Sequence, residues 1–123
     1  MVMALTLSGF LAAFGGESTP GSSDDPLVSK SYVDSRTTYT VVHMQANQKL
    51  IGGAGAEIIL RSGEATAIGN GSNGVSDMTD GKDLMTTDKV GTNHLLLVPR
   101  DDGRGIQVWT ESYVMVRGSY SVQ

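Results

Sequence analysis

From Thr37 to the C-terminus, short runs of β-branched, aliphatic and aromatic residues alternate with turns rich in glycine and polar residues. Such runs are typical of β-strands, because branched side chains pack well on a pleated surface. No long helical period occurs between them. We therefore expect an all-β domain, either a compact β-sandwich or a jelly-roll-like barrel. The pattern predicts seven or eight short strands, near 37–44, 48–51, 57–61, 64–68, 83–86, 94–98, 113–117 and 120–122.

The run from His94 to Val98 is apolar enough to be buried on both faces. Pro99 ends it, because proline lacks the amide hydrogen that a strand ladder needs. The residues that follow suit a tight reversal, so we predict a hairpin with a solvated charged turn, in which arginine–carboxylate pairing would fix the turn or bridge two subunits. A second hairpin is predicted at Ser62-Gly63. The charged residues of the first turn are Asp101, Asp102 and Arg104.

The segment Met1–Phe14 is the most apolar stretch of the chain. It is shorter than the roughly 20 residues of a transmembrane helix, so no membrane span is expected. It also lacks the basic start of a signal peptide. We expect an apolar N-terminal extension that packs, as strand or helix, on its own domain or on a neighbouring subunit. The residues expected to make this contact are Leu5, Leu7, Phe10, Leu11 and Phe14.

Three regions follow from these patterns. Residues 1–14 are an apolar assembly arm. Residues 15–36 are a linker, by their glycine, serine and aspartate content, that ends in a short helical connector. Residues 37–123 are the β domain. An apolar arm on a flexible tether is typical of proteins that exchange segments between subunits, for example by adding a strand to a neighbour's sheet.

The connector has a small apolar stripe and a candidate helix cap, Ser29. Its residues Asp25, Lys30, Tyr32, Val33 and Asp34 resemble the D-x-x-x-x-K-x-Y-V-D connector of phage tail-fibre and related surface-fibre proteins. That resemblance implies a short helix leading into β-rich fibre modules. The β domain resembles small domains of secreted and surface proteins of Gram-positive bacteria, which implies an extracellular or cell-surface location. The apolar connector residues are Leu27, Tyr32 and Val33.

Composition narrows the chemistry. The net charge of −4 disfavours nucleic-acid binding, which requires clustered lysine and arginine. The absence of cysteine excludes disulfides and thiolate chemistry. His43 and His94 lie in separate strand patterns, where a histidine is usually satisfied by a backbone group. No catalytic motif occurs, and we predict that the protein is not an enzyme.

One loop, residues 70–81, is rich in oxygen-bearing side chains together with the residue that follows it at 83. Calcium prefers six to eight oxygen ligands, so this composition suits a calcium site. The spacing does not match an EF-hand, and the same residues dominate ordinary turns. No cofactor is expected apart from calcium, which remains an alternative. Its candidate ligands are Asp77, Asp80 and Asp83.

Three functions remain. We rank first a structural subunit that binds other copies of itself, as a homo-oligomer or helical filament, in an extracellular fibre or pilus-like assembly. A trimeric binding module of the phage tail-fibre type is second, favoured by the connector. A cupin-like enzyme is third, because such enzymes use clustered ligands of the His-x-His kind and this chain has two separate histidines.

Overall fold

The computed structural model describes residues 22–23 and 26–123. The assembly arm, with its five predicted contact residues, lies outside the described residues, as do Asp24 and Asp25. The chain divides into two compact units, Met1–Tyr32 and Val33–Gln123, and the β-strands all belong to the second. Within the described part of the chain, no helix has the length and apolar character needed to cross a membrane.

One helix and ten strands make up the described structure. The helix α1 runs over Lys30–Thr37. The strands are β1 (Thr40–Met44), β2 (Lys49–Gly52), β3 (Glu57–Ser62), β4 (Ala65–Ile68), β5 (Val75–Asp77), β6 (Lys82–Leu84), β7 (Leu95–Leu97), β8 (Gly105–Val108), β9 (Ser112–Arg117) and β10 (Tyr120–Val122).

The strands form two antiparallel sheets. The first has six strands in the order β1-β9-β3-β7-β5-β6, and the second has four in the order β10-β2-β8-β4. The prediction of an all-β, sandwich-like fold is confirmed. The barrel alternative is wrong, because the two sheets do not close on each other.

The predicted hairpin after Val98 is wrong. Strand β7 pairs with β3 and β5 in the six-stranded sheet, whereas β8 pairs with β2 and β4 in the other. The chain crosses between the sheets over residues 99–104: Val98 N donates to Ala56 O, next to β3, and Gly52 N, at the end of β2, donates to Arg104 O. The predicted turn residues Asp101, Asp102 and Arg104 therefore lie in a crossover.

The second predicted hairpin, at Ser62-Gly63, is also wrong, since β3 and β4 belong to different sheets. A true hairpin joins β5 to β6. Its first strand and its turn lie inside the segment 70–81 that the sequence pattern left as a loop, and β6 follows directly after that segment. Glycine serves both kinds of reversal, so turn composition alone does not distinguish them. A side chain on Gly63 would overlap Ser112, and its φ of 92° is one that L-residues rarely adopt.

Strands from the two halves of the chain alternate in the centre of both sheets. Strand β3 lies between β9 and β7, and β9 lies between β1 and β3. In the smaller sheet, β2 lies between β10 and β8, and β8 lies between β2 and β4. No half can therefore complete a sheet alone, and folding depends on pairings that are distant in sequence.

The core lies between the two sheets and is formed by alternate residues of their strands. Burial of these side chains is the main favourable term in folding. The buried apolar residues are Met44, Leu50, Ala56, Ile58, Leu60, Ala65, Ala67, Val75, Leu84, Val90, Leu96, Val98, Ile106, Val108, Val114 and Val116.

Helix α1 begins as the sequence predicted. Ser29 caps it, because its Oγ accepts a hydrogen bond of 3.1 Å from the backbone N of Tyr32. Near the other end, the backbone O of Ser35 accepts a bond of 2.8 Å from Gly118 N, in the turn between β9 and β10. None of the helix residues is buried. The connector residues Leu27, Tyr32 and Val33 are all exposed.

Successive residues of strand β2 point to opposite faces of the sheet, which allows the assignment of the core face to be tested. Leu50 is fully buried, while its neighbour Ile51 is half-buried on the opposite face of the same strand. We expect Leu50→Ala to lower the free energy of unfolding by about 2–5 kcal/mol, because it leaves a cavity between the sheets. Ile51→Ala is the matched control and should cost less than half as much. Equal losses in urea unfolding curves would contradict the assigned faces.

Candidate functional site

The outer face of the six-stranded sheet carries a continuous line of apolar side chains. The register pairs Val41 of β1 with Met115 of β9, Met115 with Ile59 of β3, and Ile59 with Leu95 of β7. Directly paired residues point to the same face of a sheet, so the four form a row across four adjacent strands. We call them the apolar row. Val41 is 62% exposed, and the other three are half-buried.

A paired polar cluster borders the apolar row on one side. Glu57 Oε1 accepts bonds of 2.7 Å from both the Tyr39 hydroxyl and the Arg117 guanidinium. That guanidinium also lies over the Tyr39 ring, 4.6 Å from its centroid. The hydrogen bond from Tyr39, helped by Arg117, holds the pKa of Glu57 below its ordinary value, although burial opposes both. The bond to Glu57 in turn raises the pKa of Tyr39. In this cluster, the carboxylate of Glu57 therefore accepts hydrogen bonds from two donors.

Polar groups on the other side of the row are also paired. The His43 ring stacks on Tyr113, with centroids 4.5 Å apart, and its Nε2 contacts the carboxylate of Glu111. Arg61 donates through Nε to Asn93 Oδ1 at 2.8 Å, and through Nη1 to the sulfur of Met115 at 3.3 Å. The apolar row thus lies between two borders whose charged groups already have partners.

This arrangement has a composition that is typical of protein interfaces. Protein interfaces have an apolar centre with few charged residues and a polar rim. Single exposed apolar residues are ordinary, but a row in register over four strands is a patch. Sequence reasoning missed it, because Val41 and Met115 come from opposite ends of the domain and only the sheet register brings them together.

The sheet edges offer a second kind of contact. In the described part of the chain, β1 has a neighbour on one side only, β9, and β10 has only β2. Strand β4 is covered on its outer side by residues 87–90, through bonds from Ala67 N to Asp88 O and from Val90 N to Ala65 O. An edge strand with free backbone groups can accept an added strand.

A third feature is the cluster around Asp77, which is buried on β5. Its Oδ1 accepts bonds of 3.0 Å from the backbone N of Thr79 and of Asp80. Its Oδ2 accepts a bond of 2.8 Å from His94 Nδ1. Burial raises the pKa of Asp77, but the bond from His94 and the two backbone bonds outweigh it, so the pKa lies below its ordinary value. The bond to Asp77 raises the pKa of His94.

Asp77, Asp80 and His94 place ligand atoms within 4.8 Å of one another, so they are the described residues that could hold a metal ion. The third residue of the sequence prediction, Asp83, is not among them. It pairs with Ser76, whose Oγ donates to Asp83 Oδ1, and these two lie on the opposite face of the sheet from Asp77. The hydrogen bonds of Asp77 account for its burial without an ion, because both of its oxygens have donors.

The crossover residues have a structural role. Arg104 is buried, and its Nε and Nη2 donate to the two carboxylate oxygens of Asp102 at 2.9 and 2.8 Å. Its Nη1 donates to Gly74 O at 2.8 Å. The bond from Arg104 holds the pKa of Asp102 below its ordinary value. Arg104 therefore joins the start of β8 in one sheet to the start of β5 in the other, while Asp101 is exposed.

The pair of His94 and Asp77 makes stability depend on pH. The raised pKa of His94 means that its contribution is complete below about pH 6.5 and is lost as the pH rises through the folded value. We expect the unfolding temperature to fall between about pH 6 and pH 8, and His94→Gln to remove most of that fall. Ser76→Ala, which changes a non-titrating side chain on the opposite face of the same strand as Asp77, is the control and should retain it. Parallel profiles for wild type and His94→Gln would contradict the assignment.

Comparison of the chain with protein-family models, with curated proteins and with solved structures finds no match. The function is therefore argued from the surface itself: an outer sheet face with an apolar centre, two internally paired polar borders, and open strand edges beside it.

Proposed function

We propose that this protein is a structural subunit that assembles with copies of itself into an extracellular fibre or pilus-like filament. In this proposal the apolar segment Met1–Phe14 of one subunit docks on the β domain of the next. The observation that carries it is the apolar surface of the six-stranded sheet, which has a polar rim and no charged residue left without a partner at its borders. The docking segment has no charged residue either.

The apolar surface of the arm offers a gross energy of the same size as the cost of association. Burial of Leu5, Leu7, Phe10, Leu11 and Phe14 would remove several hundred Å² of apolar surface, worth on the order of 10 kcal/mol before ordering costs. Association costs an estimated 4–15 kcal/mol. Each single contact is therefore of moderate strength, and a filament gains its strength by repeating that contact along its length.

Removal of the arm tests this proposal. We expect deletion of Met1–Phe14 to give a soluble monomer by light scattering and no filaments by negative-stain electron microscopy, because the docking segment is gone. The matched control replaces the same fourteen residues with glycine and serine, which keeps the length and removes the apolar side chains. It should also be monomeric. If the deleted chain forms the same assembly as the full chain, the proposal fails.

A second candidate is a trimeric binding module of the phage tail-fibre type. The observation that favours it is the exposure of the connector: Leu27 is 72% exposed, Tyr32 52% and Val33 40%. Apolar side chains at the start of a fibre module could pack around a threefold axis. Compact trimers from both the full chain and the deletion would support this candidate over the filament.

A further inference from the structure

The apolar row extends too far from the sheet edge to be covered by an added strand. Adjacent strands lie about 4.8 Å apart, so the row from Val41 to Leu95 spans roughly 14 Å across β1, β9, β3 and β7. A strand added beside β1 would continue the sheet outward and contact Val41 alone. Ile59 and Leu95, two and three strands further in, would remain uncovered.

We infer that the apolar row is the docking site for the Met1–Phe14 segment of a second copy, which lies across the face of the sheet. This inference rests on the function proposed above, and it states that the arm docks on the face of the six-stranded sheet rather than along the edge strand β1. The centre of the face suits an occupant with apolar side chains, and on one border Glu57 and Arg117 neutralise each other within their own subunit. Met1–Phe14 contains no charged residue.

The segment also fits the row in size. A fourteen-residue segment is about 21 Å long as a helix, which covers the roughly 14 Å of the row and its side chains. Leu7, Phe10, Leu11 and Phe14 have the i, i+3, i+4, i+7 spacing that would place four apolar side chains on one side of such a helix. Residues 15–29 can extend to roughly 50 Å, enough to reach a neighbouring subunit.

The test introduces one charge into the row. Val41→Glu is the first variant, because Val41 is the most exposed member of the row and a folded domain tolerates its replacement best. Leu95→Thr is the second variant, because Leu95 lies three strands in from β1, where a strand added at the edge would not contact it. Both should weaken assembly if the arm lies across the face, and assembly of Leu95→Thr like the wild type would overturn the inference. The matched control is Val122→Glu, the same change at a valine 39% exposed on β10, the edge of the other sheet. We expect Val41→Glu to raise the dissociation constant of the full chain at least about tenfold, because a charge would be buried, and Val122→Glu to leave it within about twofold.

A mixing experiment then tests the pairing directly. The double variant Val41→Glu, Met115→Glu retains the arm and loses the face, whereas the Met1–Phe14 deletion retains the face and loses the arm. Neither should assemble alone, and we expect an equimolar mixture to form 1:1 pairs by light scattering. Val41→Ile, which keeps the row apolar, should assemble like the wild type. If the double variant proves unfolded by circular dichroism, Val41→Glu takes its place in the mixture.

The outcomes separate this inference from the proposed function. If the deletion assembles as the full chain does, the proposed function fails. If the deletion is monomeric but Val41→Glu assembles like the wild type, the arm docks elsewhere and the inference alone fails. If both variants are monomeric and their mixture forms no pairs, docking of the arm of one copy on the face of another is overturned.

Discussion

The alternation of strands from the two halves of the chain is the constraint on which the rest of the structure depends. Strands β3 and β9 lie side by side and each has its other neighbour from the opposite half, so neither forms without long-range pairing. Their register is fixed by burial, because a slip of one residue would move Ile58 and Val116 out of the core and their neighbours into it. The same register aligns the four residues of the apolar row. The pairing of β3 with β9 therefore determines both which side chains enter the core and which side chains line the outer face.

The buried charged residues of the domain, which a catalytic or metal site would need, instead stabilise this arrangement of strands. Arg104, buried with Asp102 and Gly74, joins two strand starts in different sheets. Asp77, also buried, accepts donors from its own turn and from His94 on the approach to β7. A buried charge without partners would be far more costly than either pair, so each partner is needed for stability. Both pairs thus fix segments that connect strands of the fold.

Most strands could be predicted from the sequence, apart from β5 and β8, but their partners could not. Branched and aromatic runs located most strands, and Ser29 was correctly identified as the cap of α1. Both predicted hairpins were crossovers, because a glycine turn has the same composition whether the chain returns beside itself or moves to the opposing sheet. The apolar row and the pairing of His94 with Asp77 join residues distant in the chain. Both arrangements depend on how the strands pair, which no local sequence pattern encodes.

The polar borders of the apolar row decide what kind of force can act there. Glu57 binds Tyr39 and Arg117, so an incoming partner gains little by offering a charge to that border, whereas Arg61 on the other border donates to the neutral acceptors Asn93 and Met115. A charged partner would instead lose its own hydration without compensation. Docking on this face is therefore governed by removal of apolar surface from water, a force that is nearly independent of ionic strength and weakens on cooling. The Met1–Phe14 segment, which has no charged side chain, meets that requirement in composition. In the docking that we propose, the position of Ile59 and Leu95 inside the sheet would place the segment across the strands rather than beside them.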